Sequence, residues 1–268
     1  MRAPVNFSDK DMEEVMRRAK DADSLLVCSD YDGVLSKLQI DPMSARPLPG
    51  GIEALQNLAL SEASAAAIIS GRDMQSLKYM LRHSDYGDIV LIASHGGEVE
   101  EGGVSEHRAY DLRGLARLER IRTEVSRALA KFPGARLESK RFSVAVHTRG
   151  LSSAISEAAR RMAIEYGEKN PNLRVIPGKE VVELAISVVD KGQAVDWLVS
   201  KKGAEMVIFV GDDVTDEDAF KRVNAMGGAS FKVGEGKSAA KYRLSGPQEA
   251  VALLKNLANA RVNAPECG

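Results

Sequence analysis

Ser24-Leu25-Leu26-Val27-Cys28-Ser29-Asp30-Tyr31-Asp32-Gly33-Val34-Leu35 decides the fold, because a short apolar run ends abruptly in two carboxylates. Residues 24–29 are apolar or β-branched and bounded by polar residues, which suits a strand covered on both faces, as in a parallel sheet. A second run, Met206-Val207-Ile208-Phe209-Val210, ends the same way at Gly211-Asp212-Asp213-Val214-Thr215-Asp216-Glu217-Asp218. Ionised side chains at such strand ends repel one another and resist leaving water unless a cation shares the site. Mg²⁺ suits the position, since it takes one or two carboxylates, keeps several waters and accepts a substrate phosphate. An isolated Asp-Gly pair is usually a turn, and Thr215 with Asp218 also reads as a capping box. Two acidic strings behind two buried strands outline a metal and phosphate site.

Outward from these strings, helical and strand periods alternate. Residues 9–20 form a charged amphipathic helix, and the strand at 24–29 leads to a helix over 50–60 with Ile52, Leu55 and Leu58 on one side. A strand at 65–69, a helix at 73–81 with Met74, Leu77 and Leu81 inward, and a strand at 89–93 follow. Such alternation implies right-handed crossovers and a parallel sheet.

After about residue 108 the pattern changes to helix (112–131), strands (136–139, 142–147), helix (151–168) and strands (173–176, 181–186). The parallel pattern resumes at Asp190 with a helix, a strand at 206–210, a helix at 216–226 and a strand at 229–233. The expected class is α/β: a Rossmann-like parallel-sheet core of residues 1–107 and 188–268, interrupted by an α+β (αββαββ) lid at 108–187. Alternation in the lid puts Ser143, Ala145, His147 and Arg149 on one side and Val144 and Val146 on the other, while Glu138 and Lys140 share a side of the preceding strand. A polar face can then look toward the core while the apolar face meets the helices. An α/β core binds its ligand at the carboxyl ends of its strands, and a small domain above can exclude water and read the rest of the substrate.

Composition sets outer bounds. The chain has 268 residues, enough for one sizeable core or two modest domains, and its 37 Lys plus Arg balance 38 Asp plus Glu. That balance leaves no electrostatic footprint for nucleic acid or an anionic membrane; a small-molecule partner and a monomer are expected. Two cysteines, Cys28 in an apolar strand and Cys267 near the end, form neither a disulfide framework nor a zinc pattern. With a polar start to the chain and no long apolar stretch, a soluble cytoplasmic protein is expected.

The motifs resemble those of the haloacid-dehalogenase superfamily, in order along nearly the whole chain. Asp30 to Val34 matches D-x-D-x-[TV], Ile68-Ile69-Ser70-Gly71-Arg72 matches the strand closed by Ser or Thr, Lys191 matches the lysine opening a later helix, and Asp212 begins the acidic fourth motif. The lid resembles that superfamily's type-2 cap. Closer still is a resemblance to trehalose-6-phosphate phosphatases, through Gly211 to Phe220 (GDDVTDEDAF), Ile69 to Arg72 (ISGR), the K-x-x-S-x-x-x-H-x-R stretch from Lys140 to Arg149, and Gly178-Lys179 through Glu183. Ala93, Val34 and Leu184-Ala185 depart from the commonest residues of that family.

The resemblance implies a Mg²⁺-dependent phosphatase acting on trehalose 6-phosphate, with Asp30 as nucleophile and Asp32 as general acid and base. It makes Asp30, the Asp32 carbonyl and Asp212 metal ligands. Asp213 is a ligand or an orienting group, and Asp216 orients metal-bound water. Ser70 and Lys191 hold phosphoryl oxygens, although Ser70 could simply cap a helix and Lys191 could be a solvated lysine paired with Asp190. In a first helical turn a lysine opposes the macrodipole, which asks for an anion nearby. Arg72, Glu138, Lys140, Arg149, Lys179 and Glu183 are implied substrate contacts, a solvated sheet face being the alternative for the lid residues. His95 shapes the mouth of the site, and His147 contacts substrate or is structural. Sucrose-phosphate and mannosyl-phosphoglycerate phosphatases, phosphohexomutases and a non-hydrolytic sugar-phosphate sensor are the alternatives.

Overall fold

The computed structural model describes residues 4–107, 112–140, 142–171, 173–186 and 189–262. The chain forms two compact units, one of residues up to Glu106 and from Asp190 onward, the other His107–Val189.

The first unit opens with β1 (Val5–Asn6), α1 (Asp9–Asp21), β2 (Leu25–Ser29), α2 (Gly51–Leu60), β3 (Ser64–Ile69), α3 (Met74–Leu81), β4 (Val90–Ala93), β5 (Glu98–Glu101) and β6 (Val104–His107), the last residue of β6 falling in the second unit. The second unit contains α4 (Leu112–Leu129), β7 (Arg136–Ser139), β8 (Ser143–His147), α5 (Ser153–Glu168), β9 (Arg174–Pro177) and β10 (Val181–Ala185). The first unit resumes with α6 (Lys191–Lys202), β11 (Met206–Gly211), α7 (Glu217–Ala225), β12 (Ala229–Val233), β13 (Tyr242–Leu244) and α8 (Pro247–Val262).

In the first unit the strands form one sheet in the order β1-β13-β12-β11-β2-β3-β4-β5-β6. The run from β1 to β4 is parallel throughout, and β5 turns back antiparallel to β4. Central β2 is buried along its whole length. Its residues alternate between two cores, Leu25 and Val27 packing with Leu55, Leu77 and Leu254 on one face, Leu26 and Cys28 with Val195, Leu198 and Phe220 on the other. Helices on both faces explain why the strand is continuously apolar instead of alternating.

Elements outside the expected set are β1, the β5–β6 pair, β13 and α8. Glu98-Val99-Glu100-Glu101 is acidic and looks solvated in sequence, yet Glu98 is buried where it accepts from Ser94 Oγ (2.7 Å), and Glu100 pairs with Lys78 (2.8 Å). Tertiary partners override strand propensity there.

In the second unit β7-β8-β10-β9 form an antiparallel sheet. Leu118, Ile121 and Val125 of α4 and Ala159 and Ala163 of α5 pack with Val144, Val146, Val182 and Leu184, so one sheet face is apolar and covered by both helices. Cross-strand register puts Glu138 and Glu183 on either side of Ala145, on the opposite face.

Candidate active site

Parallel register brings the ends of three strands together. Ser29 lies opposite Val210 of β11 and Ile68 of β3, so Asp30, Ser70 and Asp212 all emerge at the carboxyl edge. The Asp30 N–H donates to the Val210 carbonyl (2.8 Å), extending the ladder one residue beyond β2.

Asp30 is buried, its Oδ1 accepting from the Tyr31 N–H (2.6 Å) and its Oδ2 from Lys191 Nζ (2.7 Å). Lys191 Nζ also donates to Asp216 Oδ1 (2.7 Å). At 1% exposure Lys191 is not a solvated lysine, and the two carboxylates supply the anions its place in the first turn of α6 demands. The other oxygen of Asp216 accepts from the N–H groups of Asp212 (2.8 Å) and Asp213 (2.9 Å).

A short 3₁₀ turn, Val214–Asp216, swings Asp216 inward and leaves Asp213 exposed, accepting from the Val214 N–H. The capping box accordingly involves Asp213 and Asp216, not Thr215 and Asp218. Carboxylate oxygens of Asp30, Asp212 and Asp216 lie within 4.8 Å of one another, a grouping able to hold a metal ion. Asp216 belongs to this grouping, and Asp213, read from the sequence as a ligand or an orienting group, does not.

Two glycines allow this density of charge. A Cβ on Gly33 (φ +72°) would lie 2.0 Å from Asp212 Oδ2, and one on Gly211 would lie 2.4 Å from Asp216 Cγ. Backbone therefore packs directly against both carboxylates, which only glycine permits.

Burial pushes Asp30 well above the ordinary carboxylate range, and Asp216 and Asp212 push further against the pull of Lys191. Burial likewise raises Asp212 to about 7, with Asp216 and Asp213 adding and Lys191 and Lys232 opposing. Burial works against the charge of Lys191, but Asp216 and Asp30 outweigh it and raise its pKa. Clustered carboxylates displaced in this direction are what a divalent cation relieves, so the donor set fits a hard, oxygen-seeking ion.

Asp32 points elsewhere. Both of its oxygens accept from Arg72, from Nε and Nη2 at 2.7 Å each, and Arg72 Nη2 also donates to the Pro42 carbonyl (2.8 Å). Ser70 Oγ accepts from the Arg72 N–H (3.1 Å), whereas α3 is capped by Asp73, so Ser70 is not the helix cap. His95 follows β4 at φ +57° and donates its N–H to the Ser70 carbonyl (3.0 Å). Its ring covers Gly71, where a Cβ would meet Cε1 at 2.5 Å. Ser70, Arg72 and His95 thus share one corner with Asp32.

In the second unit Glu183 is buried and accepts from Lys140 Nζ (2.7 Å) and Ser143 Oγ (2.6 Å). His147 Nε2 lies 2.7 Å from Glu138 Oε2, and that hydrogen bond, with the charge of Lys140, holds Glu138 below its ordinary pKa against the effect of burial. Arg149 pairs with Glu180 (2.9 Å), and Lys179 is exposed beside it. Ser143, Glu180 and Lys232 were not singled out as site residues. A lysine inside the otherwise apolar strand 229–233 was the available signal for the last, because charged side chains are rarely buried without a partner.

A mostly parallel sheet carrying its acidic cluster at the carboxyl ends of the strands is a haloacid-dehalogenase-type fold. The family profile described as trehalose-phosphatase matches residues 28–248. A trehalose-phosphate phosphatase of Mycobacterium leprae (strain TN) is 34% identical over 249 residues, covering 85% of this chain and 56% of that protein. An uncharacterized glycosyl hydrolase of Mycobacterium tuberculosis (strain CDC 1551 / Oshkosh) is 34% identical over 246 residues, covering 85% of this chain and 18% of that one. The structure of the C-terminal domain of a C. albicans trehalose-6-phosphate phosphatase superposes with a TM-score of 0.81 over 97% of this chain and 99% of that chain, at 22% identity. The chain belongs to the trehalose-phosphatase family. It spans about half the length of the M. leprae relative and a smaller part of the M. tuberculosis one. Among the described residues, no helix is long and apolar enough to cross a membrane.

Proposed function

We propose that this chain is a Mg²⁺-dependent phosphatase that hydrolyses trehalose 6-phosphate to trehalose and phosphate through an aspartyl phosphate on Asp30. The observation that carries this is the buried Asp30 carboxylate at the end of β2, held by Lys191 and grouped with Asp212 and Asp216.

Asp30 attacks phosphorus, and the sugar oxygen departs with a proton from Asp32. Water then attacks the acyl phosphate, giving its proton to Asp32, and Asp30 is regenerated with release of phosphate. Lys191, already on Asp30, and Ser70, at the strand-to-helix corner, hold phosphoryl oxygens. Arg72 holds both oxygens of Asp32 as acceptors, so Asp32 must leave this pairing to carry the proton it gives to the sugar oxygen. Asp30, Asp212 and the Asp32 carbonyl would hold Mg²⁺, with Asp216 orienting its surroundings and Asp213 outside the cluster. When bound, the ion neutralises the carboxylates and the phosphoryl oxygens as a Lewis acid. Unit His107–Val189 serves as the cap, and its polar face with Glu138, Lys140, His147, Arg149, Lys179 and Glu183 reads the sugar, while His95 shapes the mouth of the core site.

Phosphate release is measured across a panel of sugar phosphates, with and without a chelator. Preference for another ester overturns the substrate, and full activity in chelator overturns the metal. Binding of trehalose 6-phosphate without turnover in ample Mg²⁺ turns the protein into a sensor.

A further inference from the structure

Lys232 lies on β12 opposite Gly211 of β11, one residue before Asp212. It is 7% exposed in a strand buried along its length, and an ammonium placed there needs partners. Its Nζ donates to the carbonyls of Asp212 (2.5 Å) and Val233 (2.7 Å). Both partners are main-chain carbonyls, one of them that of Asp212 itself. The peptide groups on either side of Asp212 are held at once, its N–H by Asp216 Oδ2 (2.8 Å) and its carbonyl by Lys232, while its carboxylate lies against the bare Cα of Gly33. With the main chain fixed, side-chain torsions alone decide where that carboxylate points.

We infer that Lys232 is a positioning residue for Asp212, holding its main chain so that the carboxylate presents to a divalent cation. This rests on the metal-binding reading of the Asp30, Asp212 and Asp216 cluster. The amine of Lys232 is committed to the carbonyls of Asp212 and Val233, so it acts through the main chain that it holds. Loss of a group that orients a metal ligand typically weakens metal binding about 10- to 100-fold.

The test is Mn²⁺ binding by electron paramagnetic resonance, on wild type, Lys232→Met and Lys232→Arg, with the unfolding midpoint of each measured in EDTA. Lys232→Met is expected to raise the Mn²⁺ Kd about tenfold or more while the metal-free protein stays folded, and Lys232→Arg, which keeps charge and donors, to recover most of the affinity. A Kd within about twofold of wild type in the folded methionine variant, or equal weakening in both variants, overturns the inference. Should Lys232→Met not fold, Lys232→Gln replaces it, judged against Lys232→Arg on the same criteria. Failure of wild type itself to bind Mn²⁺ is a different result, which removes the metal site and leaves phosphatase activity to be judged separately.

Discussion

Replacing Lys191 by methionine keeps the volume and removes the one charge that bridges Asp30 and Asp216. Both ion pairs are 2.7 Å long, and the lysine is 1% exposed, so neither carboxylate gains solvent in exchange. Breaking a buried pair by removing one partner costs about 3–5 kcal/mol. At about 2–4 °C per kcal/mol for a domain of this size, the midpoint falls by roughly 6–20 °C. The pH dependence has a definite sign. In wild type the raised pKa of Lys191 gives a contribution that is fully present below its unfolded value and is lost only as pH rises through the folded one, so it is constant near neutrality. In wild type Asp30 already sits above its unfolded value, and in the variant, without its cation, it sits higher still, so the folded variant takes up its proton at a higher pH than the folded wild type. The deficit therefore shrinks as pH falls through the interval between those two folded values and is constant on either side of it. Differential scanning calorimetry in EDTA across about pH 5 to 9 is the assay. A midpoint within about 2 °C of wild type, or a deficit indifferent to pH, refutes the reasoning.

Gly33→Ala should cost about 1–2 kcal/mol of backbone strain at φ +72°, and its methyl, 2.0 Å from Asp212 Oδ2, should displace that carboxylate. About a 100-fold loss of kcat/KM follows from a shift near 1 Å, and unchanged turnover and Mn²⁺ affinity would contradict it. Glu183→Gln should lower kcat/KM on trehalose 6-phosphate by about tenfold or more, through its charge-assisted bonds to Lys140 and Ser143, with little change on p-nitrophenyl phosphate; equal losses on both count against a sugar-reading role. Because Asp212 is raised to about 7, proton and cation compete for it, and Mn²⁺ affinity should drop as pH falls through that value. A flat affinity between pH 6 and 8 would show that Asp212 does not titrate there.

The parallel core was legible because β2 and β11 are covered on both faces and so read as unbroken apolar runs, while α2 and α3 show a helical stripe. Strand β5 was not, since its glutamates depend on partners over twenty residues away, as with Glu100 and Lys78. Helix α8 carried readable signals, Pro247 in its first turn and Leu253, Leu254 and Leu257 facing inward. At the site, Asp30 and Asp212 were identifiable from their place at the ends of buried apolar runs, and Lys191 through the family resemblance. Within the acidic string, however, only the 3₁₀ turn decides that Asp216 faces in and Asp213 out. The alternation of β8 was readable from Val144 and Val146, but the bond of Ser143 to Glu183 joins residues 40 apart.

Asp30 precedes His107–Val189 and Lys191 follows it, so the bond between them spans 161 residues. A growing chain can pair β2 with β3 early, whereas β11 must be synthesised before it can take its place on the other side of β2. Long-range pairings of this kind are slow to form. Until then Asp30 has no lysine beside it and is the one member of the three-carboxylate cluster yet made, so that cluster is among the last features that folding completes, and a product truncated within the insertion lacks it.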